Sequence, residues 1–366
     1  MDVQHIKFDC RHFKGHIPCA PNKEKGAICD TCTDYTKISR KILIIKLAAI
    51  GDVIRTTPLL KAFRQQYPNC HFTWVTLFPD ILPQNEIDKI HTLNGLSIFQ
   101  ITNTHFDIAI NLDKDEEACQ LLSKVDATEK FGFTWDGSHI CAATPQAEHK
   151  LLTGLFDSLS QQNTKSYLEE IFEICHLKFN FEDYAININT GLAGMWKGRI
   201  DARSNGRKVI GLNTGCGARW QTRLWPATRW TELIKQLEGK GYFCMLLGGE
   251  AEDEQNRALA AATEAWYPGH FSLEEFIAIS DSCHFIVTQV SMMMHIAIAL
   301  KKQLILFNNI FNRHEFELYN RGVILEPDSG CDCYYGNTCS REKSCMLDIS
   351  VATVVSHIEK IEAGLS

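Results

Sequence analysis

The chain has 366 residues, 45% of them apolar and 22% charged, with a formal net charge of −7. That length holds two domains of ordinary size, and that composition is normal for a soluble globular fold. The acidic balance argues against nonspecific nucleic-acid binding, and polar residues interrupt every apolar stretch short of a membrane span.

Residues 1–38 are polar, loop-like and rich in cysteine. Their start, MDVQHIKFDCRHFKGHIPC, carries no apolar core of the kind a secretory signal needs, so a cytoplasmic location is expected. Fifteen cysteines are many for such a chain. Stable disulfides are disfavoured in the cytoplasm, so clustered cysteines read as metal ligands. Cys10, Cys19, Cys29 and Cys32 form one set of four, the Cys-x2-Cys pair being its most specific part. Cys331, Cys333, Cys339 and Cys345 form a second, less regular set. Four thiolates suit zinc and iron alike, in one site or two, and the expected role is structural. The remaining seven cysteines are scattered and read as small core residues.

The stretch KILIIKLAAIGDVIRTTPLLKA, 41–62, follows. A β-branched run, a small-residue loop ending in Gly51-Asp52 and an apolar-periodic segment read as strand, loop and helix. Such a loop lies where open α/β sheets collect ligands. Asp52 is either a catalytic carboxylate there or simply an N-cap. Further strands are expected at 72–77, 97–101 and 107–112. Residues 187–208, rich in Gly, Asn and charge, read as the interdomain connection. A second alternating run starts at 209, with strands at 209–212, 243–247, 285–288 and 304–307, and helices near 226–239, 250–264 and 293–300. The fold class expected is α/β, two Rossmann-like domains facing a cleft, at 39–190 and 205–366, preceded by the cysteine-rich segment 1–38.

Three segments of the second half carry chemistry. LNTGCGARWQTRLWP, 212–226, places Thr214, Gly215, Arg219 and Arg223 in a loop after a strand, as a diphosphate requires. A strand ending in Gly248-Gly249 leads to Glu252, a candidate for ribose hydroxyls, with Glu250 as the fallback. In VTQVSMMMHIAIAL, 287–300, Ser291 offers a hydroxyl at a helix start, and His295 is either a core residue or a ligand contact. Residues 307–319 are polar and aromatic enough to line a base pocket.

Gly51-Asp52, Thr56-Thr57 and Pro58 match the N-terminal signature of glycosyltransferase family 9, the ADP-heptose heptosyltransferases, and the resemblance extends with gaps to the C-terminus. It implies the two-domain arrangement called GT-B, an ADP-heptose donor in the second domain and an acceptor on the first. It implies Asp52 as general base, Arg223 as the phosphate-binding cation, Thr214 as a loosely matched hydroxyl donor, and no catalytic metal. Aligned on His295, Val290, Ser291 and Met292 stand where the family has Asp, Thr and Gly; this is the chief departure. The acceptor implied is a lipopolysaccharide precursor, or a protein in the autotransporter-modifying members, which carry a cysteine-bound iron finger. A nucleotide-sugar-binding scaffold without turnover is the alternative from another class. Peripheral contact at the inner face of the inner membrane and a homo-oligomer are left open.

Overall fold

The computed structural model describes residues 2–217, 219–339 and 341–364. Six strands, β1 (Lys41–Ile45), β2 (His71–Thr76), β3 (Lys89–Thr92), β4 (His105–Asn111), β5 (Asp126–Trp135) and β6 (Ile140–Ala142), form a first sheet in the order β3-β2-β1-β4-β5-β6. All neighbours are parallel except β5 and β6, which pair antiparallel at one edge. A second sheet, fully parallel, takes β7 (Val209–Asn213), β8 (Phe243–Leu247), β9 (Phe285–Gln289), β10 (Gln303–Phe307) and β11 (Gly322–Leu325) in the order β11-β10-β9-β7-β8.

The central strands are covered on both faces, as parallel sheets require. In β1, Ile42 and Ile44 enter one apolar cluster while Leu43 and Ile45 enter another, and all four are fully buried. This explains why the strand reads as an unbroken apolar run rather than an alternation. Six of the seven scattered cysteines are buried, and Cys141 is partly exposed.

One expectation is corrected and another gains detail. Residues 97–101 lie in a helix, Gly95–Thr102, not a strand. Asn94 accepts from the Ser97 N–H at 3.0 Å, Ser97 Oγ accepts from the Asn94 N–H at 2.9 Å, and Ser97 and Ile101 are buried one turn apart. Residues 187–208, expected as the interdomain connection, contain a helix, Thr190–Ser204, capped by Asn189. Its buried residues Trp196, Ile200 and Ser204 recur at four-residue spacing, and Trp196 Nε1 donates to Glu275 of the helix Leu273–Asp281 at 2.9 Å. Tertiary packing there overrides the poor helix propensity of three glycines.

Polar contacts join the halves across the cleft. Asp183 meets Lys301 at 2.8 Å and Arg321 at 3.2 Å. Asn312 donates to Ser160 O at 2.7 Å and to Asn163 O at 2.6 Å.

Candidate active site

The carboxyl end of β1 delivers Lys46 into the cleft. Lys46 is buried; its ammonium pairs with the equally buried Asp113 beyond β4 and donates to Ala48 O at 2.7 Å. Asp113 also accepts from the Leu47 N–H, and its turn is set by Asn111, whose Oδ1 accepts from the Asp113 N–H at 3.0 Å. This ion pair fixes the loop that presents Asp52.

Asp52 lies in the first turn of the helix Ile50–Ile54. One oxygen accepts from the Ala49 N–H at 3.3 Å, so the capping role exists. The other lies 2.7 Å from Arg55 Nη2, and the side chain remains 33% exposed toward the cleft, so capping does not remove it from chemistry. Burial would raise its pKa, but Arg55, then Lys46 and His295, outweigh that and hold it at about 2. The Arg55 guanidinium is itself held 3.5 Å from the Tyr167 ring centroid and 3.9 Å from Glu315.

Three adjoining cavities run past this point. One, of about 600 Å³, extends into the first half between Lys46, Asp52, Lys114, Lys150, Arg219 and Tyr335. The next, about 480 Å³, crosses to the second half between Gly51, Asp52, Arg223, Ser291, Met292 and His295. The last, about 410 Å³, lies among Gly215, Gly248, Gly249, Glu252, Ser291 and Met292. Asp52 is shared by the first two, and Ser291 and Met292 by the last two.

The remaining sequence-predicted residues fall as follows. Arg223 lines the middle cavity, yet three of its five N–H groups face backbone carbonyls, those of Trp220 at 3.1 Å, Cys216 at 2.5 Å and Val290. It braces the loop after β7 against the start of the helix Met292–Ala299, with two N–H groups left over. Arg219 is exposed, lies 4.3 Å from the Trp220 ring centroid and lines the first cavity. Thr214 is fully buried and its hydroxyl donates to Asn256 at 2.7 Å, so it does not line these cavities; the neighbouring Asn213 does. Glu252 accepts from the Gly249 N–H at 2.9 Å and packs directly over Gly215. His295 is buried and neutral: burial, then Arg55, push its pKa down to about 3. Its ring lies 6.2 Å from that of Tyr184 and against Gly51, where a Cβ would come within 2.4 Å of His295 Cδ2. Phe311, Glu315 and Phe316 of the segment 307–319 line the middle cavity beside Asp52, not the one at Glu252.

Sequence reasoning missed Lys46, Arg55, Asp113, Lys114, Glu315 and Tyr335. For Lys46, Asp113 and Lys114 a signal existed, since all three follow the carboxyl end of a strand. Glu315 and Tyr335 reach the cleft only through tertiary packing, Tyr335 donating to Glu315 at 2.9 Å.

The N-terminal cysteines gather in space as in sequence, and of the C-terminal set Cys331, Cys333 and Cys345 lie together. Cys10, Cys19, Cys29 and Cys32 line one cavity of about 320 Å³ inside their own segment. Cys331 Sγ accepts from the Cys333 N–H at 3.4 Å; burial and then the nearby Cys345 raise its pKa to about 12. Cys339 is partly exposed. Among the described residues, no group of three or more His, Cys, Asp or Glu is arranged to hold a metal ion.

Two sheets, parallel apart from the β5–β6 edge of the first, with strand ends facing a shared cleft make this a GT-B fold. A glycosyl transferase family 9 protein from Veillonella parvula superposes with a TM-score of 0.68 at 19% identity, over 89% of this chain and 98% of that one. TibC from enterotoxigenic E. coli, an iron-containing dodecameric heptosyltransferase solved with ADP-D-β-D-heptose, superposes at 0.56 and 15% identity, over 90% and 78%. Lipopolysaccharide heptosyltransferase 2 of Salmonella typhimurium is 35% identical over 109 residues, 28% of this chain. That match spans 31% of the Salmonella protein's length. The sequence model of glycosyltransferase family 9 (heptosyltransferase) matches residues 98–321, more than half of the chain, and the chain belongs to that family. No helix among the described residues is long and apolar enough to cross a membrane.

Proposed function

We propose that this protein is an inverting glycosyltransferase that moves heptose from ADP-heptose to an acceptor hydroxyl. The observation carrying this reading is the run of three cavities with Asp52 shared by the first two. The acceptor enters the cavity of the first half. The nucleotide lies in the second half, its ribose toward Glu252 and its diphosphate between Gly215 and Ser291. The acceptor oxygen attacks the anomeric carbon as the bond to the diphosphate breaks; ADP leaves with the bonding pair, and Asp52 takes the hydroxyl proton. Asp52 is ionised across the physiological range, so it is always ready to accept, and transfer becomes favourable as the attacking oxygen turns acidic in the transition state. The two remaining N–H groups of Arg223, the Ser291 hydroxyl and the amides opening the helix Met292–Ala299 face the departing diphosphate. With these donors the mechanism calls for no catalytic metal.

The acceptor we favour is a lipopolysaccharide core precursor, met in the cytoplasm at the inner face of the inner membrane. Protein O-heptosylation of an autotransporter is the second reading, favoured by the two cysteine groups and the likeness to iron-containing TibC. We assign the cysteines a structural zinc or iron, and the dodecameric TibC supports an oligomer. An inactive scaffold is motivated by the side chains of Val290 and Met292 at the head of the donor helix. The test is ADP release from ADP-heptose by purified protein with each acceptor, and mass analysis of the product. Transfer to core oligosaccharide supports the first reading and transfer to an autotransporter passenger the second. ADP binding without turnover means a scaffold, and a protein that binds no ADP contradicts all three.

A further inference from the structure

Both oxygens of Asp52 are engaged: one accepts from the Ala49 N–H at 3.3 Å and the other lies 2.7 Å from Arg55. A carboxylate held by a guanidinium is a poor proton acceptor unless that guanidinium has a second place for its charge. Arg55 has one. Its Nη1 lies 3.9 Å from Glu315, a carboxylate only 11% exposed. Asp52 and Arg55 come from the first half of the chain and Glu315 from the second. Two contacts set Glu315 in place. The Tyr335 phenol donates to it at 2.9 Å; burial, then Glu315, push that phenol's pKa up, so the proton stays on Tyr335. The turn Arg313–Glu315 starts at Asn312, which accepts from the His314 N–H at 3.0 Å and donates to Ser160 O and Asn163 O of the first half. Arg55 is less fully satisfied. Its guanidinium rests on Tyr167, and its Nε is buried with no hydrogen-bond partner among the described residues.

We propose that Glu315 is a positioning residue, which shares Arg55 with Asp52 across the cleft and so keeps an Asp52 oxygen available to the acceptor hydroxyl. The planar guanidinium, pinned against Tyr167, presents its two Nη groups to two carboxylates. Each carboxylate weakens its hold on the other. Without the charge of Glu315, Arg55 turns wholly to Asp52, whose basicity falls and whose open oxygen is covered. Glu315 lines both cavities that Asp52 shares, so the rival role is a direct contact with the sugar. The two roles differ in one respect: positioning needs Arg55, and a sugar contact does not.

This deepens the transferase reading and rests on Asp52 being its base. The experiment is steady-state transfer from ADP-heptose by the full chain, with core oligosaccharide or autotransporter passenger as acceptor, in a double-mutant cycle. Glu315→Gln keeps the size and an oxygen for Tyr335 but loses the charge. It lowers kcat by about 10-fold, part of the roughly 10²–10⁴-fold that a general base supplies, and leaves KM and ADP affinity unchanged. Glu315→Asp keeps a charge and recovers part of the loss. In Arg55→Met the same Glu315→Gln change costs less than about twofold, because no shared cation remains. Should Arg55→Met fail to fold, Tyr335→Phe serves in its place: it acts through Glu315, so it lowers kcat alone and adds nothing to Glu315→Gln. Full additivity in the cycle that folds, a raised KM with kcat unchanged, or normal turnover in Glu315→Gln overturns the proposal. Asp52→Asn in the same assay separates the two ideas. Normal turnover there contradicts the base reading, whereas a loss there beside normal Glu315→Gln contradicts this proposal alone. A wild-type protein that turns over neither acceptor contradicts both.

Discussion

Asp52 is a carboxylate kept ionised in surroundings that would otherwise neutralise it. Its folded pKa lies below the ordinary carboxylate value, so its contribution to stability is full above that value and is lost as pH falls through about 2. The groups facing it are Arg55, Lys46 and neutral His295, with Glu315 and Tyr167 beyond Arg55. Wild-type kcat/KM therefore shows no acid limb from Asp52 while the protein stays folded. Arg55→Met removes the largest opposing charge and raises the Asp52 pKa by about 1–3 units, bringing such a limb into view. A pH profile unchanged in folded Arg55→Met contradicts this. Arg223→Ala removes a brace and two free N–H groups. Calorimetry is expected to show ADP binding weakened by about 1.5–3 kcal/mol with adenosine little affected; equal losses would make the arginine purely a brace. Asp52 was legible in the sequence because a strand, a small-residue loop and a helix start are local patterns. Its partners were not, since Lys46 is matched with Asp113 from 67 residues away.

The helices that meet across the cleft depend on close approach. Gly51 on Ile50–Ile54 lets the buried His295 on Met292–Ala299 lie against its backbone. Gly51→Ala forces one to shift and is expected to cost about 1–3 kcal/mol, read as a lower denaturation midpoint with slope unchanged. A midpoint equal to wild type would mean that the contact yields freely. This pairing also explains how His295 was readable both ways: it is a buried packing residue that also lines the cavity. The covered strands β1, β2, β4 and β7–β10 were legible because they read as apolar runs, whereas β3, β5, β6 and β11 were not anticipated. The helices Gly95–Thr102 and Thr190–Ser204 were not, because caps and a partner helix, rather than propensity, decide them.

At the scale of the molecule, two sheets and the contacts between them make the cleft, while residues 2–38 stand apart. That segment buries almost nothing: Phe8 is 61% exposed and Ile17 50%. It is tied to the body by Arg11, which donates to Cys70 O at 2.5 Å and pairs with Asp88 at 3.0 Å. A coreless segment needs a staple, and its four thiols line one cavity. Protein purified without added metal is expected to carry more than about half an equivalent of zinc plus iron, released by acid or chelators with loosening of the segment. Less metal in reduced, unmodified protein contradicts a four-cysteine site, and metal that survives Cys29→Ser and Cys32→Ser belongs to Cys331, Cys333, Cys339 and Cys345. The cysteine sets were legible as spacings; their place beside the fold was not, because only tertiary structure shows what a polar segment rests on.

The central claim is that Asp52 serves as the base for glycosyl transfer. Asp52→Asn keeps size and a capping oxygen while losing basicity, so steady-state transfer from ADP-heptose measured beside ADP affinity is the most direct test. Turnover is predicted to fall by about 10²–10⁴-fold with ADP affinity unchanged. Normal turnover in folded Asp52→Asn would contradict the account.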